Sequence, residues 1–115
     1  KDIYRARKIC FSIANSILVK TAIAGEDANW GRLIMAIGKT QIKLEITKIK
    51  IYIQNFLLCE NGKGINLIDE LSLSQALKKR NIEILIDLGE GEENFNVWTS
   101  DLTEEYIKIN ADYRS

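Results

Sequence analysis

Three patterns in the sequence predict a mixed α+β fold. Apolar residues recur three and four apart along residues 2–16, the spacing of a helix with one buried face. Isoleucines alternate with polar residues at 47–54 and again at 82–88, the period of a strand with one covered face. Turn signals at Asn61-Gly62 and in the polar run 89–94 separate the strand-like stretches, so antiparallel strands packed with helices are expected.

In chain order, the first helix carries Ile3, Ala6, Cys10, Ile13 and Ile17 on one stripe and stops at Asn15-Ser16. Residues 18–24 read as a short buried strand carrying Lys20 and Thr21. From Asn29, the spacing of Trp30, Leu33, Ile34 and Ile37 predicts a second helix, closed by Gly38. Residues 46–59 are strand-like with a turn or bulge at Asn55. Ser72 and Gln75 make a capping-box pattern for a short helix. Residues 82–88 and 95–99 read as two strands joined as a hairpin. Asp101 to Glu104 then resembles a helix start, with Leu102, Tyr106 and Ile109 on one face of a last helix.

The 115 residues suit one domain or a part of one. Sixteen basic and 16 acidic residues cancel, so the charge gives no reason to expect nucleic acid or an anionic membrane as partner. No apolar run is long enough to cross a bilayer, and no signal peptide is visible. The chain opens on Lys1 rather than Met, which predicts a processed or partial chain. Cys10 and Cys59 are too few for a zinc framework and are expected to be buried free thiols, as in a reducing, cytoplasmic setting. Histidine is absent, which removes the commonest general base and metal ligand, and no metal site is expected. Gly62-Lys63-Gly64 lacks the spacing of a phosphate loop, and residues 89–94 lack that of a dinucleotide fingerprint.

One stretch stands out chemically. Gly25 ends the apolar run, Glu26 and Asp27 follow at once, and Asn29-Trp30 open the next helix. A pair of carboxylates at such a turn can bind an amine or cation, or can simply cap and charge-complement the helix.

The run Thr21-Ala22-Ile23-Ala24-Gly25-Glu26-Asp27-Ala28-Asn29-Trp30-Gly31-Arg32, with Val97-Trp98-Thr99-Ser100-Asp101-Leu102-Thr103-Glu104-Glu105-Tyr106 and the closing Asn110-Ala111-Asp112-Tyr113-Arg114-Ser115, resembles the ornithine acetyltransferase (glutamate N-acetyltransferase) family. The match covers nearly the whole chain and is weakest over residues 41–79. It departs at Ile17, where the family usually carries proline.

The resemblance implies an N-terminal-nucleophile-hydrolase-like acetyltransferase fold. Residues 1–115 would be its C-terminal domain or part-domain, in the β chain of a self-cleaving precursor. The nucleophilic threonine and the α chain would lie outside these residues, so no catalytic residue is expected here and the chain alone should be inactive. The family transfers acetyl from N-acetylornithine to glutamate through an acetyl-threonine ester. By motif position, Glu26, Asn110 and Ser115 would bind substrate. Asp27, Asn29, Trp30 and Arg32 are assigned to support or packing. No cofactor is implied beyond acetyl-CoA as an added donor in bifunctional members. The implied partner is the α chain, in a heterotetramer of two α and two β chains. Two other readings are a non-catalytic small-molecule-binding or interaction domain of the same ancestry and, less well matched, an amide-cleaving aminopeptidase relative.

Overall fold

Helix α1, Asp2–Ala14, buries Ala6, Ile9, Cys10 and Ile13 completely, as its three-and-four spacing requires. The ends of the expected stripe stay out: Ile3 is 41% exposed, and Ile17, at 69%, belongs to the next element. The computed structural model describes residues 2–44, 46–65, 69–89, 94–100 and 106–112.

The run expected as a strand at residues 18–24 is instead helix α2, Ile17–Ala24. Ser16 caps it, its side chain accepting from the Val19 N–H at 3.2 Å. Val19, Ala22 and Ile23 are the buried positions, three and four apart. A short, mostly apolar run reads equally as a strand or a buried helix, and the N-cap decides here. Helix α3, Trp30–Gly38, follows as expected with Asn29 at its N-cap.

A 3-10 turn at Ile46–Lys48 takes the front of the expected strand region, so strand β1 is only Lys50–Ile53. Gln54 and Asn55 both have positive φ, 52° and 67°, and turn the chain into β2, Phe56–Glu60. Two left-handed residues match the right-handed twist of the strands they join. The pairing of β1 with β2 is irregular between Ile51 and Tyr52, and consecutive residues Leu58 and Cys59 are both buried there. Asn61-Gly62 turns the chain as expected into the two-residue β3, Lys63–Gly64.

Helix α4, Glu70–Ala76, begins two residues before Ser72, where the capping box is expected. Asp69 is its cap, accepting from the Ser72 N–H at 3.1 Å and the Ser72 hydroxyl at 2.8 Å. Strand β4 is Asn81–Asp87, β5 is Asn94–Ser100 and β6 is Tyr106–Asp112. Two expectations fail here. The last element is a strand, because Ile107, Ile109 and Ala111 alternate into the core and β-branched isoleucine suits a pleated surface. Its expected start, Asp101 to Glu104 with Leu102, lies outside the described residues. Moreover β5 does not pair with β4: β6 inserts between them, parallel to β4 and antiparallel to β5.

The result is a six-stranded mixed sheet in the order β3-β2-β1-β4-β6-β5. Rows of buried side chains cross it in register. Ile53, Ile84, Ile109 and Val97 form one; Ile51, Ile86, Ala111 and Phe95 form the next. Helix α1 covers β5 and β6, and α3 packs against α1 within the same core. Both thiols are buried and free, and burial pushes Cys10 up to about 11.

Gln54 ties three elements together at one corner. Its Nε2 donates to the carbonyls of Ala76 and Asn81 at 3.0 and 3.2 Å, and its Oε1 accepts from the Glu83 N–H at 2.9 Å. Gln54→Ala leaves all three partners to water or unpaired and should cost about 2 kcal/mol. Urea denaturation reads this, and a loss under about 0.5 kcal/mol would show that the corner holds without the amide.

Candidate functional site

The turn between α2 and α3 is built on the end of α2. The Glu26 N–H donates to Ile23 O at 2.9 Å and the Asp27 N–H to Ala22 O at 2.8 Å, the paired bonds of a Schellman closure. Such a closure needs one residue in the left-handed region, normally glycine. Here it is Glu26, at φ 58°, with Gly25 one position early at φ −86°. A side chain in that region costs roughly 1–2 kcal/mol against a right-handed conformation. Glu26 is exposed and faces a cleft of about 420 Å³.

Glu26, Asp27 and Glu70 bring carboxylates to this cleft, and Ser74 brings a hydroxyl. Trp30, Leu58, Ile65, Leu73 and Leu77 supply its apolar lining. Trp30 is seated against Gly64, where an added Cβ would come within 3.0 Å of its ring. The close approach here is thus at Gly64, whereas a Cβ on Gly31 would meet only the Asn29 Oδ1 at 3.3 Å. A site with acid groups and an apolar wall suits a small aliphatic ligand bearing an ammonium group.

Of the residues assigned to support or packing, Asn29 and Arg32 make hydrogen bonds at the turn. Asn29 accepts from the Arg32 N–H at 3.2 Å through Oδ1, and its Nδ2 faces Asp27 Oδ2 at 3.4 Å. Arg32 donates from Nη1 to the Leu18 carbonyl at 2.8 Å, tying α3 to α2. Asp27 and Trp30 also line the cleft itself.

Glu26 and Asn110 stand on different elements. The backbone of Asn110 lies in β6, in register with Leu85 and Asn96. Strands β4 and β1 separate it from β2, whose Leu58 lines the cleft, a lateral span of roughly 14 Å at ordinary strand spacing. Ser115 lies outside the described residues. Sequence reasoning missed Glu70 and Ser74, because it started their helix at Ser72; Asp69 three residues before Ser72 is the cap signal that would have found them. Among the described residues no three His, Cys, Asp or Glu side chains gather as metal ligands, and no helix is long and apolar enough to cross a membrane.

A model of the ArgJ family matches residues 1–115. The chain belongs to the ArgJ family. It is 50% identical over 110 residues to the arginine biosynthesis bifunctional protein ArgJ of Nitrobacter winogradskyi, which covers 96% of this chain and 26% of that protein. To the protein of the same name from Brucella suis it is 44% identical over 115 residues, 100% of this chain and 28% of that one. The chain thus spans about a quarter of the length of the curated relatives it matches. The crystal structure of the ArgJ protein of Bacillus halodurans shares the fold, with a TM-score of 0.68 at 24% identity over 97% of this chain and 47% of that chain. The mixed α/β architecture expected from the ArgJ resemblance is the one found.

Two outcomes follow from the cleft's construction. Glu26→Gly should stabilise the fold by about 1 kcal/mol, since glycine adopts the left-handed closure freely; no gain in thermal or urea stability would mean that the turn carries no strain. Hydrogen bonds from the Ser72 side chain and backbone hold Asp69 below its ordinary carboxylate value of 3.8. Its contribution is therefore present above that value and is lost as pH falls through the lower folded value. The stability advantage of the wild type over Asp69→Asn should shrink steadily in urea melts taken below pH 3.8; a constant difference would show that the cap is indifferent to charge.

Proposed function

We propose that this chain is the C-terminal, substrate-holding part of the β chain of a glutamate N-acetyltransferase acting in arginine biosynthesis. The observation that carries the proposal is Glu26: a carboxylate kept at a left-handed closure, where glycine is easier, and facing a cleft. Of the described non-glycine residues with positive φ, Glu26 is the one that lines the cleft, and a strained backbone at a cleft residue supports a binding role. The relatives' name, arginine biosynthesis bifunctional protein, supports the pathway.

In this reading a threonine outside these residues attacks the acetyl carbonyl of N-acetylornithine. The amine of ornithine leaves with a proton, and an acetyl-threonine ester remains. The amine of glutamate then attacks the ester, and acetylglutamate and the free hydroxyl are released. Glu26 receives a substrate ammonium group, and the apolar wall at Trp30 and Leu73 receives its methylene chain. Asn110 and Ser115 take the α-amino and α-carboxylate groups. The α chain of the same precursor supplies the remaining groups, and two such pairs make the working assembly in the cytoplasm. No cofactor takes part, and acetyl-CoA serves as a further donor if the protein is bifunctional.

The test uses the complete reading frame and the 115-residue chain side by side, with N-acetylornithine and glutamate as substrates and acetylglutamate measured by chromatography. The complete protein should transfer acetyl and the 115-residue chain should not. Glu26→Ala in the complete protein should lower kcat/KM by about tenfold to a hundredfold, the loss of one or two charge-assisted contacts. A complete protein without transfer activity would overturn the enzyme reading in favour of a binding domain. Transfer by the 115-residue chain would overturn the placement of the nucleophile.

A further inference from the structure

Gly64 ends the short strand β3 beside the cleft, and its backbone does not call for glycine. It has no left-handed φ, unlike Gly62 and Gly89. What requires glycine is Trp30. A Cβ built on Gly64 would stand 3.0 Å from the indole Cζ2, 3.3 Å from Nε1 and 3.4 Å from Cε2. A glycine within a strand often marks such a close approach. The backbone on both sides of the contact is held. Gly64 pairs with Cys59, and the Ile65 N–H donates to the Leu58 carbonyl at 3.0 Å. Trp30 is the first residue of α3, directly behind the Asn29 cap, and its own N–H donates to the Ala28 carbonyl at 3.1 Å. Trp30 lines the cleft and Gly64 does not, so the indole stands between the two. The contact joins two elements of this chain, so it does not depend on what encloses the cleft in the complete protein.

With the cleft read as the substrate site, we propose that the packing of Trp30 on Gly64 sets the length of side chain that the cleft accepts. Trp30 is then a specificity-determining residue, and Gly64 is the residue that positions it. Glu26 holds the terminal ammonium group of an α-N-acetylated diamino acid, and the methylenes lie along the indole. The fixed distance from Glu26 along this wall decides how far the acetyl group reaches toward the nucleophile. Carbon atoms in contact sit about 3.5–4.0 Å apart, so a methyl group on residue 64 forces the ring away from β3 and toward the cleft. One methylene in an apolar pocket is worth about tenfold to 200-fold in kcat/KM, so a ring displaced by a fraction of a carbon's width is enough to change the preference.

The test uses the complete protein and three α-N-acetylated substrates: the ornithine derivative, the diaminobutyrate derivative one methylene shorter and the lysine derivative one methylene longer. Ratios of kcat/KM between substrates are compared, because a loss of folded protein lowers all three alike and leaves the ratios unchanged. Gly64→Ala should lower the ornithine derivative against the shorter one by about tenfold. Trp30→Phe, which draws the wall back, should raise the lysine derivative against ornithine by about tenfold. Combining the two changes should restore the preference lost in Gly64→Ala, since the smaller ring leaves room for the methyl group. Ratios that stay at the wild-type values in both single variants overturn the proposal, and so does a double variant no closer to wild type than Gly64→Ala. Should Gly64→Ala fail to fold, Trp30→Phe alone decides, by the same ratio. A wild-type protein that transfers no acetyl defeats the enzyme reading separately. Calorimetric binding of the same three compounds then makes the comparison, and a protein that binds none of them overturns both.

Discussion

The parallel pairing of β4 with β6 is the constraint on which the rest of the structure depends. Seven residue pairs run from Asn81 with Tyr106 to Asp87 with Asp112. They align Ile82, Ile84 and Ile86 with Ile107, Ile109 and Ala111, all 0 or 1% exposed. β1 and β5 extend these rows to either side, and α1 closes over the β6 end. A slip of one residue would turn Ile107 and Ile109 to the open face and bring Lys108 inside, so the register has no near competitor. The pairing also joins segments far apart in sequence to β1 and α1. The core is therefore incomplete until the last described strand is in place, a topology that folds slowly for its size.

That dependence explains what could and could not be read in advance. Local signals were legible wherever one element's own pattern decided its state: the α1 stripe, the Asn29 cap of α3, the Asn61-Gly62 turn and the alternation of β4. The signals failed where partners decide. Tyr106 and Ile109 fit one face of a helix by spacing, and only the vacancy between β4 and β5 selects the strand. The hairpin expected between β4 and β5 is the obvious reading of two adjacent strands, because nothing local announces that a third will insert. The run at 18–24 is ambiguous for a different reason: it is short and mostly apolar, and its two adjacent polar residues, Lys20 and Thr21, fit neither period cleanly.

The site was legible in part for the same reasons. Glu26 and its neighbours form one contiguous motif, and a contiguous motif keeps its members together whatever the fold. Glu70 and Ser74 enter the cleft from a helix more than 40 positions later, and only tertiary packing brings them there. Asn110 shows the converse. Its place in a terminal motif suggested the same site as Glu26, yet the strand order sets its backbone three strands from β2.

The misread element changes the electrostatics of the cleft more than its shape. With residues 18–24 as a strand, the carboxylates of Glu26 and Asp27 would face only the N-terminus of α3, where the helix dipole favours an anion, and plain capping would explain them. With those residues as α2, Glu26 stands directly after a helix C-terminus, where the carbonyl ends disfavour a second negative charge. Glu26 therefore carries two burdens at one position, a left-handed backbone and the wrong end of a dipole. A cation relieves the second of them, interacting favourably with the carboxylate and with the end of α2 together. That arrangement supports the ammonium-binding role proposed for Glu26, which capping alone does not require.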